Sequence, residues 1–340
     1  MSSKIKKILM LMLSAVLVFS LVACSDKEEK KEEGTDAGTP VKQAENGELD
    51  MSALSGLTVG FSQCDNASAW RIAETESIQE TAKENDVTLV YADAGGDIAK
   101  QASDIGDMIA QGVDYIIAAP QEEDGLQSVL QEAMAEGIGV ILVDRGVNGE
   151  AGTDYTTAIM SDFIWEAEQV AKKVIEATEG KGNVVILQGT PGATSATERN
   201  EGFLNTIKDT DLKVIVEQPA GFLMAEAQSV MENILQAQGD EVDVVFCHND
   251  DMALGALTAI KAAGYKPGED ILVCGIDGAS AALEAVKSGE MLCTASCSPY
   301  FGPITFETIA KLKNNEQVDE KLIIEDTLFD IDNADPALGY

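Results

Sequence analysis

From residue 57 onward the chain repeats one alternation, a short unbroken run of apolar and β-branched residues followed by a segment of helical period. The runs are Leu57-Thr58-Val59-Gly60-Phe61, Val87-Thr88-Leu89-Val90-Tyr91, Tyr115-Ile116-Ile117-Ala118 and Val140-Ile141-Leu142-Val143. A second series follows, Val184-Val185-Ile186-Leu187, Val214-Ile215-Val216, Val242-Asp243-Val244-Val245-Phe246 and Ile271-Leu272-Val273. Unbroken runs of this kind belong to strands buried on both faces, and therefore to parallel sheets covered by helices on either side. The amphipathic stretches 98–111 and 229–236 supply such helices. Roughly 280 residues exceed what one core takes, and the pattern divides into similar halves near Ser161. The expected fold class is α/β, two doubly wound parallel-sheet lobes, each presenting ligand-facing residues at the carboxyl ends of its strands.

Polar residues gather at those ends. The first strand runs into Ser62-Gln63-Cys64-Asp65-Asn66-Ala67-Ser68-Ala69-Trp70-Arg71, and the fourth ends in Asp144-Arg145. In the second half, Glu198-Arg199-Asn200 follows Gln188-Gly189-Thr190-Pro191-Gly192, while His248-Asn249-Asp250-Asp251 and Asp277-Gly278 close two later strands. Such a set suits the recognition of neighbouring hydroxyls. Carboxylates accept, amides do both, and the arginine fork donates in a rigid plane. Trp70 or Phe61 offers a flat face to the C–H side of a sugar ring. Taken singly, Asp144-Arg145 reads as an ion pair, Trp70 as core, and Asn249 and Asp250 as helix caps. His248 is taken as structural. The combination at one sheet edge favours a site. Adjacent carboxylates such as Asp250-Asp251 do not face each other on a helix, and no nucleophile–base pair is visible, so the reading is a binding protein and not an enzyme.

The first residues set the compartment. Lys4, Lys6 and Lys7 precede an uncharged apolar run over residues 8–23, too short for a comfortable membrane span and laid out like a signal peptide. It ends in Leu21-Val22-Ala23-Cys24, which resembles the lipobox of bacterial lipoproteins, with Cys24 the acylated thiol. The following residues, beginning Lys27-Glu28-Glu29-Lys30-Lys31-Glu32-Glu33, are too charged to bury a core and are read as a disordered tether. Two or more acyl chains make a stable anchor. Losing three signal lysines takes the formal charge from −36 to −39, which excludes nucleic-acid binding through a basic face. Five cysteines then remain, and five cannot all pair within one chain. Cys293 and Cys297 on one strand would stand roughly 13 Å apart, beyond disulfide reach. With no Cys-x-x-Cys and His248 as the only histidine, neither a metal nor another cofactor is expected.

The ordered words Val59-Gly60-Phe61-Ser62-Gln63, Trp70-Arg71-x-Ala73-Glu74-Thr75, Leu142-Val143-Asp144-Arg145, Arg199-x-x-Gly202-Phe203, His248-Asn249-Asp250-Asp251-Met252 and Ile276-Asp277-Gly278 resemble the type I periplasmic binding proteins of ABC sugar importers. Within that ribose-binding-protein-like group, the galactofuranose-binding branch is the nearest in kind, Trp70-Arg71 favouring it over ribose. The resemblance implies two lobes joined by a three-segment hinge that close on a ligand. The implied organisation is a signal peptide at 1–23, a lipid-anchored linker at 24–56, a first lobe of 57–160 plus 296–321, a second lobe of 161–295 plus 322–332, and a tail at 333–340. Carried over by position, Trp70, Arg71, Asp144 and Arg145 contact sugar from the first lobe, and Arg199, Phe222, Asn249 and Asp277 from the second. Cys297 stands where ribose-binding members have glutamine, and Phe163 where an asparagine is usual. The implied partners are a monosaccharide and the transmembrane subunits of an ABC permease, with the membrane reached only through the lipid and the protein a monomer. A receptor docking to a chemoreceptor or sensor kinase is the alternative. A repressor of this fold would need a basic DNA-binding segment at its start, which this chain lacks.

Overall fold

The computed structural model describes residues 39–40 and 50–340. The expected signal peptide, the expected lipidation site Cys24 and most of the expected tether lie outside the described residues. Among the described residues the strands are β1 Thr39–Pro40, β2 Thr58–Gln63, β3 Thr88–Asp93, β4 Tyr115–Ala118, β5 Gly139–Val143, β6 Thr157–Ser161, β7 Lys181–Gln188, β8 Asp211–Pro219, β9 Val244–Cys247, β10 Leu272–Asp277, β11 Cys293–Ser296, β12 Lys321–Ile324 and β13 Leu328–Phe329. The helices are α1 Ala69–Glu84, α2 Ile98–Gln111, α3 Gln127–Ala135, α4 Phe163–Thr178, α5 Thr194–Ile207, α6 Met224–Gln238, α7 Asp250–Ala262, α8 Ser280–Ser288 and α9 Gly302–Lys313.

Two sheets result. The first has the order β1-β12-β6-β5-β4-β2-β3 and the second β13-β11-β10-β9-β7-β8. Every pairing is parallel except β11 with β13. The unbroken apolar runs follow from burial on both faces. In the second sheet Val184, Ile186, Val244 and Phe246 enter one apolar cluster, while Val185, Leu187, Val245 and Cys247 enter the other. The Phe203 and Phe246 rings stack at 4.2 Å on the first of these faces.

Among the described helices, α1, α2, α4 and α7 start at side chains that satisfy free backbone donors. Ser68 accepts from the Arg71 amide at 3.2 Å, Asp162 from Trp165 at 2.9 Å, and Asn249 from Met252 at 3.0 Å. Two of these caps lie beside Trp70-Arg71 and His248, so capping also fixes the geometry at the strand ends.

The chain passes between sheets three times, after β6, after β11 and after β12. Ser296 ties two passages together, donating from Oγ to Asp326 at 2.9 Å and accepting from the Thr327 amide at 2.8 Å. After the second passage α9 packs on α1 so tightly that a Cβ on Gly302 would stand 2.2 Å from the Ser77 carbonyl oxygen.

Several boundaries differ from expectation. Residues 322–324 belong to the first lobe and not to the expected second, because β12 pairs with β6 in the first sheet, so the third passage falls between Ile324 and Leu328. The fold also begins earlier than residue 57. Met51–Leu54 is a 3-10 helix capped by Asp50, its Leu54 is wholly buried, and the Thr39–Pro40 backbone pairs with β12. The expected tail is docked, with the Ser280 hydroxyl donating to the Pro336 carbonyl at 2.9 Å. Strands β6 and β11 have no counterpart among the apolar runs read from sequence, because Thr-Ala-Ile-Met-Ser and Cys-Thr-Ala-Ser lack a β-branched stretch.

Candidate functional site

In each sheet the strand order reverses at its first long strand. β2 lies between β3 and β4, and β7 between β8 and β9. A crevice opens outside the carboxyl ends of such strands. The two crevices face each other across a cleft lined by residues of both lobes.

Trp70, Arg71, Asp144 and Arg145 line it from the first lobe, Arg199, Phe222, Asn249 and Asp277 from the second, and Cys297 from the second passage. Phe61 does not reach the cleft. It is wholly buried in the first core, its ring 5.6 Å from that of Tyr91. As Phe61 lies on β2 rather than in the loop beyond it, its side chain is committed to the sheet face. Asp65, Ser68, Thr190, Ser195, Gly221 and Leu223 also line the cleft. Asp65, Ser68 and Thr190 belong to the polar stretches that marked the site in the sequence; the other three carry no such signal.

The cations are held by carboxylates. Arg71 donates from Nη1 to Glu74 at 2.7 Å and from Nη2 to Asp144. Arg145 Nε lies 3.6 Å from the same Asp144 oxygen, beyond hydrogen-bond reach, and has no partner within the protein, while Nη1 donates to the Gln121 carbonyl at 3.1 Å. Arg199 donates to Glu166 at 2.8 Å and to the His248 carbonyl at 2.7 Å, with Asp277 at 3.7 Å. Each guanidinium also covers an aromatic face: Arg71 over Trp70 at 4.8 Å, Arg145 over Phe222 at 5.2 Å, and Arg199 over Phe163 at 5.1 Å. Phe163, in the position where the resemblance led one to expect asparagine, is therefore a shelf beneath Arg199.

The aromatic rings are fixed. Trp70 Nε1 donates to the Cys297 carbonyl at 2.7 Å and its ring meets Phe301 edge-on at 6.1 Å. Phe222 rests on Gly189, where a Cβ would fall 1.9 Å from the ring. Asp144, Phe222 and Asp277 have φ of 61°, 63° and 135°, a region that costs non-glycine residues on the order of 1–3 kcal/mol each. Strain of this kind is concentrated where side chains must be aimed.

Burial governs the ionisation of nearby groups. It lowers His248 to about 3, so the ring is neutral, with Nδ1 accepting from the Gly189 amide at 3.3 Å. It raises Glu166 to about 8, Asp250 to about 7 and Asp326 to about 6. The five described cysteines are free and buried, although Cys274 and Cys293 are register partners on adjacent strands. Burial pushes the Cys64 thiol up to about 11, which disfavours the reactive thiolate.

The raised carboxyls predict a pH dependence. Unfolded, these three groups ionise near their ordinary values of 4.5, 3.8 and 3.8. Between about pH 4 and the folded values the native state holds the extra protons, so unfolding releases them and rising pH favours the unfolded chain. Their contribution is fully present below the unfolded values and is lost as pH passes 6, 7 and 8. Urea titrations at pH 5 and pH 8 should show the higher midpoint at pH 5, and Asp326→Asn should reduce the difference. A higher midpoint at pH 8 would refute the assignment.

Comparison with known proteins agrees with this architecture. The family model described as periplasmic binding protein domain matches residues 59–317. The galactofuranose-binding protein YtfQ of Escherichia coli (strain K12) is 36% identical over 289 residues, covering 84% of this chain and 91% of that relative. The periplasmic binding component of an arabinose ABC transporter from Shewanella sp. ANA-3, solved with α- and β-L-arabinofuranose, is 37% identical with a TM-score of 0.78, covering 82% of this chain and 93% of its own. A protein of Mycobacterium smegmatis solved with β-D-fucofuranose is 39% identical with a TM-score of 0.80, covering 83% and 94%. Two parallel-sheet lobes, a polar cleft where their strand ends meet and a family match over most of the folded region together place this chain in the periplasmic binding protein family.

Proposed function

We propose that this chain captures a neutral monosaccharide in furanose form between its lobes and hands it to the transmembrane permease of an ABC importer, while held at the outer face of the membrane through Cys24. The observation that carries the reading is the pairing of charge in the cleft. Arg71, Arg145 and Arg199 each lie against a carboxyl group, so the site sets fixed donors beside fixed acceptors, the pattern that neighbouring hydroxyls match. Trp70 and Phe222 approach from opposite lobes and supply apolar surface for a ring. Relatives named for galactofuranose or solved with arabinofuranose and fucofuranose support the furanose form.

Isothermal titration against a panel of pentoses and hexoses that populate furanose rings, among them L-arabinose, D-galactose and D-fucose, should yield binding by at least one sugar and none by the corresponding sugar phosphates. No heat from any sugar would defeat the proposal. For the anchor, a Cys24→Ala protein should leave the membrane fraction; continued partitioning with membranes would overturn that part.

A further inference from the structure

The loop after β7, Gly189-Thr190-Pro191-Gly192-Ala193, leads into α5 and serves two surfaces. Thr190 lines the cleft. Gly192 and Thr194 instead meet the other lobe. The Glu123 amide, in the segment after β4, donates to the Gly192 carbonyl at 2.8 Å, and the Gly146 amide, after β5, donates to Thr194 Oγ1 at 3.1 Å. Gly192 holds a φ of +83°, and the Glu122 side chain lies 3.4 Å from where its Cβ would stand, so the loop is seated against the first lobe and cannot easily carry a larger residue.

The receiving segments are braced before the loop arrives. The Asn148 amide donates to the Glu123 carbonyl at 2.9 Å, and Asn148 Nδ2 to Asp124 at 2.8 Å. Arg145 holds the Gln121 carbonyl two residues upstream of Glu123. Two backbone amides of the first lobe are thus presented as fixed donors to acceptors of the second. Neither Gly192 nor Thr194 lines the cleft.

We propose that Gly192 and Thr194 form a latch that closes the two lobes through the chain's own groups, so that a measurable fraction of the protein is closed with no solute bound. A contact that favours the closed state without touching ligand strengthens the binding of every solute by the same factor, because it reduces the fraction of open protein each must overcome. The affinity of the cleft is therefore set in part by a residue outside it.

Small-angle X-ray scattering on protein unfolded in urea, dialysed free of ligand and refolded tests this without reference to any sugar. Thr194→Val keeps the side-chain volume and removes the acceptor; Thr194→Ser keeps the acceptor. Losing one hydrogen bond should move the open–closed equilibrium by roughly fivefold, giving Thr194→Val a larger radius of gyration, with Thr194→Ser matching the parent. Superimposable curves for the parent and Thr194→Val, or a Thr194→Ser curve that follows Thr194→Val, would overturn the latch. For any sugar found to bind, Thr194→Val should raise Kd by one common factor; factors that differ between sugars would mean Thr194 contacts ligand and would equally overturn the proposal. Should no sugar bind, the scattering comparison still decides.

Discussion

Glu166→Leu is expected to destabilise the protein by about 3–5 kcal/mol, the usual consequence of removing one partner from a buried ion pair. Glu166 has no exposed surface, and its Oε2 accepts from Arg199 Nε at 2.8 Å. Leucine fills much the same volume, so little of the loss comes from packing. The loss comes from Arg199, whose guanidinium cannot shed its proton and would keep only the His248 carbonyl and a distant Asp277. Glu166→Gln should recover most of the stability, because the amide oxygen still accepts from Nε. Urea unfolding of the three proteins measures the effect. Equal stability of Glu166→Leu and the parent would mean that the His248 carbonyl and the Phe163 ring suffice to hold Arg199.

Arg145→Ala should weaken sugar binding by more than about tenfold, one charge-assisted hydrogen bond contributing about 1.5–3 kcal/mol. Arg145 lines the cleft with its guanidinium only partly bonded within the protein, so the fork can donate to a ligand hydroxyl. Arg145 also places its charge over Phe222 of the opposite lobe at 5.2 Å. Folding should be only modestly affected, because Asp144 keeps its ion pair with Arg71. Arg145→Lys should not restore affinity, as a point charge replaces a planar fork. Titration calorimetry beside a thermal melt separates the two effects. Unchanged affinity in Arg145→Ala would remove Arg145 from the proposed site.

The two expectations differ in how they could be found. Arg145 follows Asp144 at a strand end, and that position alone marks it in the sequence. Glu166 gives no such sign. It lies on a helix 33 residues before Arg199, among other acids that face solvent. Phe61 misleads in the opposite direction, being an aromatic two residues from a strand end whose ring turns to Tyr91 and the core. When both faces of a strand are buried, alternation no longer tells which face a residue takes, and only the packed sheet decides.

The unbroken β-branched runs and the helices between them suffice to dictate parallel sheets, since no other arrangement buries both faces of so many strands. That sheet geometry in turn places Trp70-Arg71, Asp144-Arg145, Arg199, Asn249 and Asp277 at one edge. These are local properties of the chain, set by periodicity and by capping residues next to the strand ends. Tertiary structure alone decided that β12 joins the first sheet, that Asp144 serves two arginines, that Phe163 lies beneath Arg199 and that Gly192 and Thr194 meet the amides of Glu123 and Gly146. Each of these joins groups far apart along the chain, and their pairing depends on which surfaces remain after the two cores have packed, a property that no local pattern carries.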